Sequence, residues 1–432
     1  MTEKHHSTTT GCETTRPASL HNESANAASP ATPAAPATSI SATSPGALAP
    51  NRLSRRDFLR LGGTAGFALL ALSGSSLLAA CAGSPQPQSG SSVSSQSSSS
   101  VQPSAAASRS VTNLDGTSIT IPQTVTAVAA IFGPSYERIV AVGAEDRIIC
   151  DGDFHISGWP WSNVIYKRVN DVPGIPNAHS DLNVEDLVAR DVQLVFCFPN
   201  PQQAEAISNA GMSAVPMAGT GKFRDIVDSL NLYAEIFNDA TATAQAQAYA
   251  RYFDDTLAMV KQRTEGVTER PRVYLAYTDM LHGYGAKSDM IEVINLAGGV
   301  LVSTELEGGS NIAVTPEQLI QWNPDYIFID HAGSSGNATA EDAIKEALAT
   351  GDYNNITAVK SNQVLATPTG VFFWDSGIQK ILYLVYIAKT IHPSLFADVD
   401  LTAMLKEFYE QFFFYQLSDS EAAQILNHQN PA

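Results

Sequence analysis

Two glutamates in this chain hold the same place in nearly the same phrase. "NVEDLVARDVQLVF" begins at Asn183 and "TPEQLIQWNPDYIF" at Thr315, so Glu185 and Glu317 are each third in their copy. A carboxylate there has two kinds of chemistry open to it. It can stabilise the first turn of a helix through the helix dipole, worth roughly 0.3–1 kcal/mol, or it can present a charge to a cationic partner. A second set of residues has the chemistry of a binding pocket. "FGPSYER" offers Tyr136, and "DGDFHISGWPWSNVIYKR" offers Phe154, Trp159, Trp161 and Arg168. "TDMLHGYGAKS" offers His282 and Tyr284, and "TGVFFWDSG" offers Phe373 and Trp374. Aromatic walls with a few polar anchors suit a large flat or lipophilic ligand, although any one such Trp is as readily a core residue. Arg168, Lys167 and Lys287 are candidate anchors for an anionic chelate, with plain solvation as the alternative.

Catalytic chemistry has no comparable signal. There is no Gly-x-Ser-x-Gly elbow, no His-Glu-x-x-His and no Cys-x-x-Cys. "GTGKF" around Lys222 lacks the leading glycine and the Ser/Thr of a phosphate loop. A free-metal site would need three or four ligands converging, and His155, His179, His282 and His331 are scattered. The residues therefore read as a binding protein and not an enzyme.

The elements that must position these residues follow from periodicity. Apolar β-type runs stand at 125–131, 147–150, 192–198, 272–277, 326–330 and 363–368, with helical patterns between several of them. Alternating strand and helix predicts an α/β fold with parallel sheets. Residues 221–268 break the alternation with two helical patterns, which separates an N-lobe at 111–220 from a C-lobe at 269–432. Asn183 and Thr315 are good N-caps, Pro316 fits the first helical position and Gln318 completes a capping box. Each repeated phrase is thus a short helix feeding a strand, and Trp322, in mid-helix, is a core residue. Helices run antiparallel to their strands in such layers, so both glutamates are expected at the strand-end edge, where these sheets bind ligands.

The first 110 residues are different. Residues 1–50 are Ser, Thr, Ala and Pro with few large apolar side chains, which cannot offset the entropy of ordering. "SRRDFLRLGGTAGFALLALSGSSLLAAC" follows: Arg55 and Arg56 resemble a twin-arginine export signal, and "LLAAC" resembles the lipobox that places a diacylglyceryl thioether on Cys81. The alternative for 61–80 is a signal-anchor helix. Residues 1–80 form the leader, and 81–110 are a Ser/Gln-rich tether of flexible-coil composition. Residues 81–432 keep 19 of the 25 basic and 39 of the 43 acidic side chains, a net charge of −20. That argues against nucleic acid and against an anionic lipid surface as partners. Cys150 and Cys197 are either a disulfide or two buried free thiols.

Taken together, "NVEDLV", "MIEVINLAGG", "VTPEQLIQWNPDYIFID" and the closing "FFWDSG…LYLVYIAKTIHPSLF…LKEFYEQFF" resemble the solute-binding proteins of ABC importers for ferric siderophores, haem and vitamin B12. The likeness covers residues 111–432. It implies two nitrogenase-like lobes joined by a rigid helix, with the ligand in the cleft between them. It also implies that Glu185 and Glu317 pair with arginines of a permease dimer, itself served by ATPase subunits. The transported ligand would be a ferric siderophore, with haem or a corrinoid as alternatives and a free metal ion or an oxyanion less favoured. No resident cofactor is expected. If haem is the ligand, His282 or Tyr284 is the candidate iron ligand.

Overall fold

The structure is a computed structural model and describes residues 107–152, 159–217, 219, 221–331, 340–349 and 351–432. Arg55, Arg56, Cys81, Phe154 and His155 lie outside the described residues. The first described element is an antiparallel hairpin of β1 (Ser108–Thr112) and β2 (Ser118–Pro122). It begins within the stretch that composition assigned to the tether, because β1 buries only Val111 and leaves no apolar signal.

The N-lobe continues with β3 (Val128–Ala130), α1 (Ser135–Ala141), β4 (Ile148–Asp151), α2 (Pro160–Ile165), α3 (Val184–Ala189), β5 (Leu194–Cys197), α4 (Pro201–Asn209) and β6 (Ser213–Pro216). Its strands are all parallel, in the order β4-β3-β5-β6. The connector is two helices, α5 (Asp225–Phe237) and α6 (Ala240–Thr264). Asn238, at φ 51°, ends α5 in the left-handed conformation that Asn tolerates. One residue later Asp239 caps α6 by accepting the N–H of Ala242.

The C-lobe follows with β7 (Arg272–Ala276), β8 (His282–Gly283), α7 (Met290–Leu296), β9 (Val300–Leu301), β10 (Ile312–Ala313), α8 (Pro316–Trp322) and β11 (Tyr326–Ile329). Then come α9 (Ala340–Ala349), α10 (Thr357–Lys360), β12 (Val364–Ala366), α11 (Lys380–Ile391), α12 (Leu401–Phe412) and α13 (Asp419–Leu426). Strands β9, β7, β11 and β12 pair in parallel in that order, and β8 with β10 adds an antiparallel extension beside β7. Both lobes therefore use the same strand order, second-first-third-fourth. The repeated phrase supplies the same piece of each: α3 into β5, and α8 into β11.

Alternation along the strands separates the cores, since successive strand side chains face opposite ways. Val128, Ala130, Leu194, Phe196, Val273, Leu275 and Phe328 face one shared core, which also takes in α5, α6, α11 and α12. Ala129, Val195 and Cys197 face a separate core under α3 and α4. Tyr274, Ala276, Ile327 and Ile329 face a third, under α8 and α9. Helix α6 is about 37 Å long at 1.5 Å per residue. Its buried stripe of Ala242, Ala246, Tyr249, Phe253, Thr256 and Val260 repeats every three or four residues, so one face lies against the shared core from end to end. Among the described residues no helix is long and apolar enough to cross a membrane.

The same alternation decides the cysteines. Cys150 and Cys197 are free and buried on the outer face of the N-lobe sheet. Their strands flank β3 and their registers are offset by two residues, so they lie at least roughly 9.5 Å apart at the usual strand spacing, beyond the ~7 Å Cα limit of a disulfide.

Candidate functional site

A cavity of about 440 Å³ opens between the lobes. From the N-lobe and connector it is lined by Leu114, Phe132, Arg138, Met217, Lys222 and Asp225, and from the C-lobe by Tyr284, Lys287, Ser288, Asp289, Asp375 and Lys380. Arg138 comes from α1, which is buried along its whole length and so holds the guanidinium in place. The residue is 7% exposed. One of its terminal amines donates to the Ser376 carbonyl at 3.3 Å, its guanidinium carbon stands 5.6 Å from the Phe132 ring centroid, and its Nε finds no acceptor. Lys222 and Lys287 are exposed at the cavity, one on each side, and their ammonium groups make no hydrogen bond or ion pair among the described residues. Lys380 is paired, with Nζ 2.5 Å from Asp289 Oδ2.

Behind the cavity lies a network of acids and phenols. Asp375 accepts from His331 Nε2 at 3.0 Å and from the Tyr284 hydroxyl at 3.0 Å. Burial pushes its carboxyl up, but His331 and the Lys380 ammonium more than offset this and leave it below the usual value. Asp330, at the end of β11, accepts from the Tyr383 hydroxyl, while its second oxygen has no donor. Burial first, and the Asp375 charge second, push the Asp330 carboxyl up. Within this neighbouring pair the surroundings favour the charged form of Asp375 and push Asp330 towards its neutral form. His331 is clamped between Phe373, stacked at 3.6 Å, and Tyr277 at 3.9 Å.

The aromatic residues singled out in the sequence are placed mostly within the core. Trp159 meets Phe373 edge-on at 4.5 Å and Phe372 at 5.1 Å, so aromatics from both lobes come together, but against one another. Tyr136 is 1% exposed and its ring lies 5.2 Å from Tyr166. Trp161 donates its indole N–H to the Gln429 carbonyl, and Trp374 is 1% exposed. Arg168 turns away to the Glu145 carbonyl at 2.9 Å. His282 holds Asp279 at 2.9 Å on the antiparallel extension, away from the cavity lining. Tyr284 does line the cavity, as does Lys287. Arg138, Lys222, Asp375 and Lys380 were not foreseen. The available signal for Arg138 was its place in "FGPSYER", two residues after Tyr136. Trp322 is buried, its indole N–H donated to Glu305.

Glu185 and Glu317 are both exposed, in the first turns of α3 and α8. Asn183 caps α3 by accepting the Asp186 N–H, and Thr315 with Gln318 forms a complete capping box on α8. The capping work is thus done by neighbours. Neither glutamate has an intramolecular hydrogen-bond or ion-pair partner among the described residues. Among those residues no three His, Cys, Asp or Glu side chains gather to hold a metal ion.

Paired α/β lobes around a charged cleft define a solute-binding protein. The chain belongs to the periplasmic binding protein family, whose model matches residues 128–370, more than half its length. This is a family of binding proteins, not enzymes. The molybdate-binding protein MolA of Haemophilus influenzae is 22% identical over 338 residues, covering 72% of this chain and 92% of MolA. Among solved structures, a periplasmic solute-binding protein of Veillonella parvula superposes with a TM-score of 0.63 at 24% identity, over 74% of this chain and 97% of its own. Helicobacter pylori CeuE, in a Ni-His complex, gives 0.61 at 20% identity, over 74% and 99%.

Proposed function

We propose that this chain is the extracytoplasmic solute-binding component of an ABC importer and that it captures a compact anionic solute, foremost an anionic iron chelate. After twin-arginine export it is tethered through an acylated Cys81. It delivers its cargo to a permease dimer, driven by ATPase subunits, by presenting Glu185 and Glu317 to permease arginines.

One observation carries the ligand class: a buried Arg138 with an unpartnered Nε, joined by the exposed Lys222 and Lys287 around one cleft in which Lys380 is already paired with Asp289. A buried guanidinium without a full set of acceptors is costly, and an anion against its cleft-facing side offsets part of that cost through charge. Lys222 and Lys287 face the cleft from opposite sides, so an anion held between the lobes can draw on both. The residues that would serve haem are engaged otherwise, His282 with Asp279 and Tyr284 with Asp375. The cavity volume and the similarity to MolA favour a second reading, a small inorganic oxyanion such as molybdate.

Calorimetric titration with ferric citrate and with molybdate tests both readings. A charge-assisted hydrogen bond lost from Arg138→Gln should weaken the bound anion by roughly tenfold to a hundredfold. Unchanged affinity in a folded Arg138→Gln protein would overturn the anionic reading.

A further inference from the structure

We infer that Asp375 makes this cleft select anions that carry a hydrogen-bond donor of their own, an O–H or N–H beside the negative charge, over anions that have none. The inference rests on the anionic reading above and narrows it.

Three carboxylates share the lining with four cations, and Asp289 is taken up by Lys380, so Asp375 is left as a buried acceptor beside Arg138, Lys222 and Lys287. Asp375 lines the cavity, yet it is 9% exposed and fixed from behind by His331 and Tyr284, each at 3.0 Å. Those two bonds occupy about half of the acceptor positions of an ionised carboxylate. The others remain for a ligand, and the two donors behind prevent the group from turning away. Nor does it escape by taking up a proton. His331 and Lys380 favour its charged form, and Asp330 is the neighbour whose carboxyl is raised by burial and by the Asp375 charge. An incoming anion therefore meets, at one point of a wall of mixed charge, an acceptor that is held in place from behind.

An anion with its own donor can bond Asp375 while Arg138 and the lysines hold its charge. An anion without one sets lone pair against lone pair in a desolvated cleft. Buried acceptors of this kind reject analogues that lack the matching donor far more sharply than apolar pockets reject a missing methyl group. The expected ligands are hydroxycarboxylates, protonated oxyanions, or chelates that keep a free hydroxyl or amide N–H. Fully deprotonated tetrahedral oxyanions are disfavoured.

The test uses the whole protein and two matched pairs at mildly alkaline pH. Citrate and tricarballylate differ by one hydroxyl; hydrogen phosphate and sulfate are dianions of one shape, and only the first carries a proton. In the wild type the donor-bearing member of each pair should bind roughly tenfold to a hundredfold more tightly. In Asp375→Asn, whose amide offers a donor of its own, each ratio should fall to near one or invert. Equal affinities in the wild type overturn the inference. So does a folded Asp375→Asn protein, checked by its melting curve, that keeps the wild-type ratios. If Asp375→Asn does not fold, the wild-type ratios still decide. Binding of none of the four removes the anionic reading and the inference with it, an outcome distinct from binding without discrimination.

Discussion

Glu137 sets a stability penalty that should be readable as a function of pH. It sits in α1 with no solvent exposure. One carboxylate oxygen accepts the N–H of Ile378 from the other lobe at 2.5 Å, and the second has no partner. The approach is so close that a Cβ on Gly377 would stand 2.2 Å from that first oxygen. Burial raises the carboxyl from the ordinary 4.5 to about 7, against the pull of Arg138 and the Ile378 N–H. Between these two values the folded protein keeps a proton that the unfolded chain has released. Stability therefore falls as pH rises through that window, and the full penalty applies above it. At 1.36 kcal/mol per pKa unit the difference is about 3 kcal/mol. Glu137→Gln keeps an acceptor for Ile378 and carries no charge at any pH. It should match the wild type below the window and exceed it by about 3 kcal/mol above it, or about 6 °C in Tm at roughly 2 °C per kcal/mol for a domain of this size. Thermal melts followed by circular dichroism, without ligand, from acid to mildly alkaline pH would show the two Tm curves diverging. Curves that run parallel would refute the reasoning, because a carboxyl that titrates alike in both states contributes nothing to the slope.

Two further outcomes follow from the surface and from the outer N-lobe core. Glu185→Ala combined with Glu317→Ala should abolish solute uptake by intact cells while leaving solution affinity unchanged, since both side chains are exposed and bound to nothing among the described residues; normal uptake would remove the docking role. Burial pushes the thiols of Cys150 and Cys197 up to about 12. Iodoacetamide should therefore modify them only after denaturation, as read by peptide mass, and labelling of either in the native protein would contradict their burial.

The fold was legible because the strands bury both faces. Runs such as "VQLVFCF" and "RVYLAY" stay apolar with no polar alternation, which is how strands covered by helices on both sides read. The repeated phrase was legible for a related reason: its caps, its leucine and its strand are all local features. The hairpin β1–β2 and strand β6 were not seen, because "SRSVT" and "SAVP" are short and carry little apolar mass. The site was the least legible part, and the failure has a definite cause. Aromatic residues after strand ends satisfy the composition of a pocket wall and that of a lobe-to-lobe seam equally well. Only three-dimensional pairing, such as Trp159 against Phe373 and Phe373 against His331, shows that these rings occupy one another.

The polar residues that do face the cleft are hidden for the opposite reason. Arg138 in a helix, Lys380 at the start of another and Asp375 in a loop look in sequence like ordinary solvated charges, and most charges in this chain are so. What distinguishes Arg138 and Asp375 is burial combined with incomplete pairing: Arg138 lacks an acceptor at Nε, and Asp375 faces the cleft with acceptor positions left over. A buried cation with an unfilled donor and a buried carboxylate with acceptor positions left over, both lining one cleft, are costly unless a third party completes them. On the proposed reading the ligand is that third party, and the two unmet needs together would set its chemistry, a negative charge and a donor on the same small molecule.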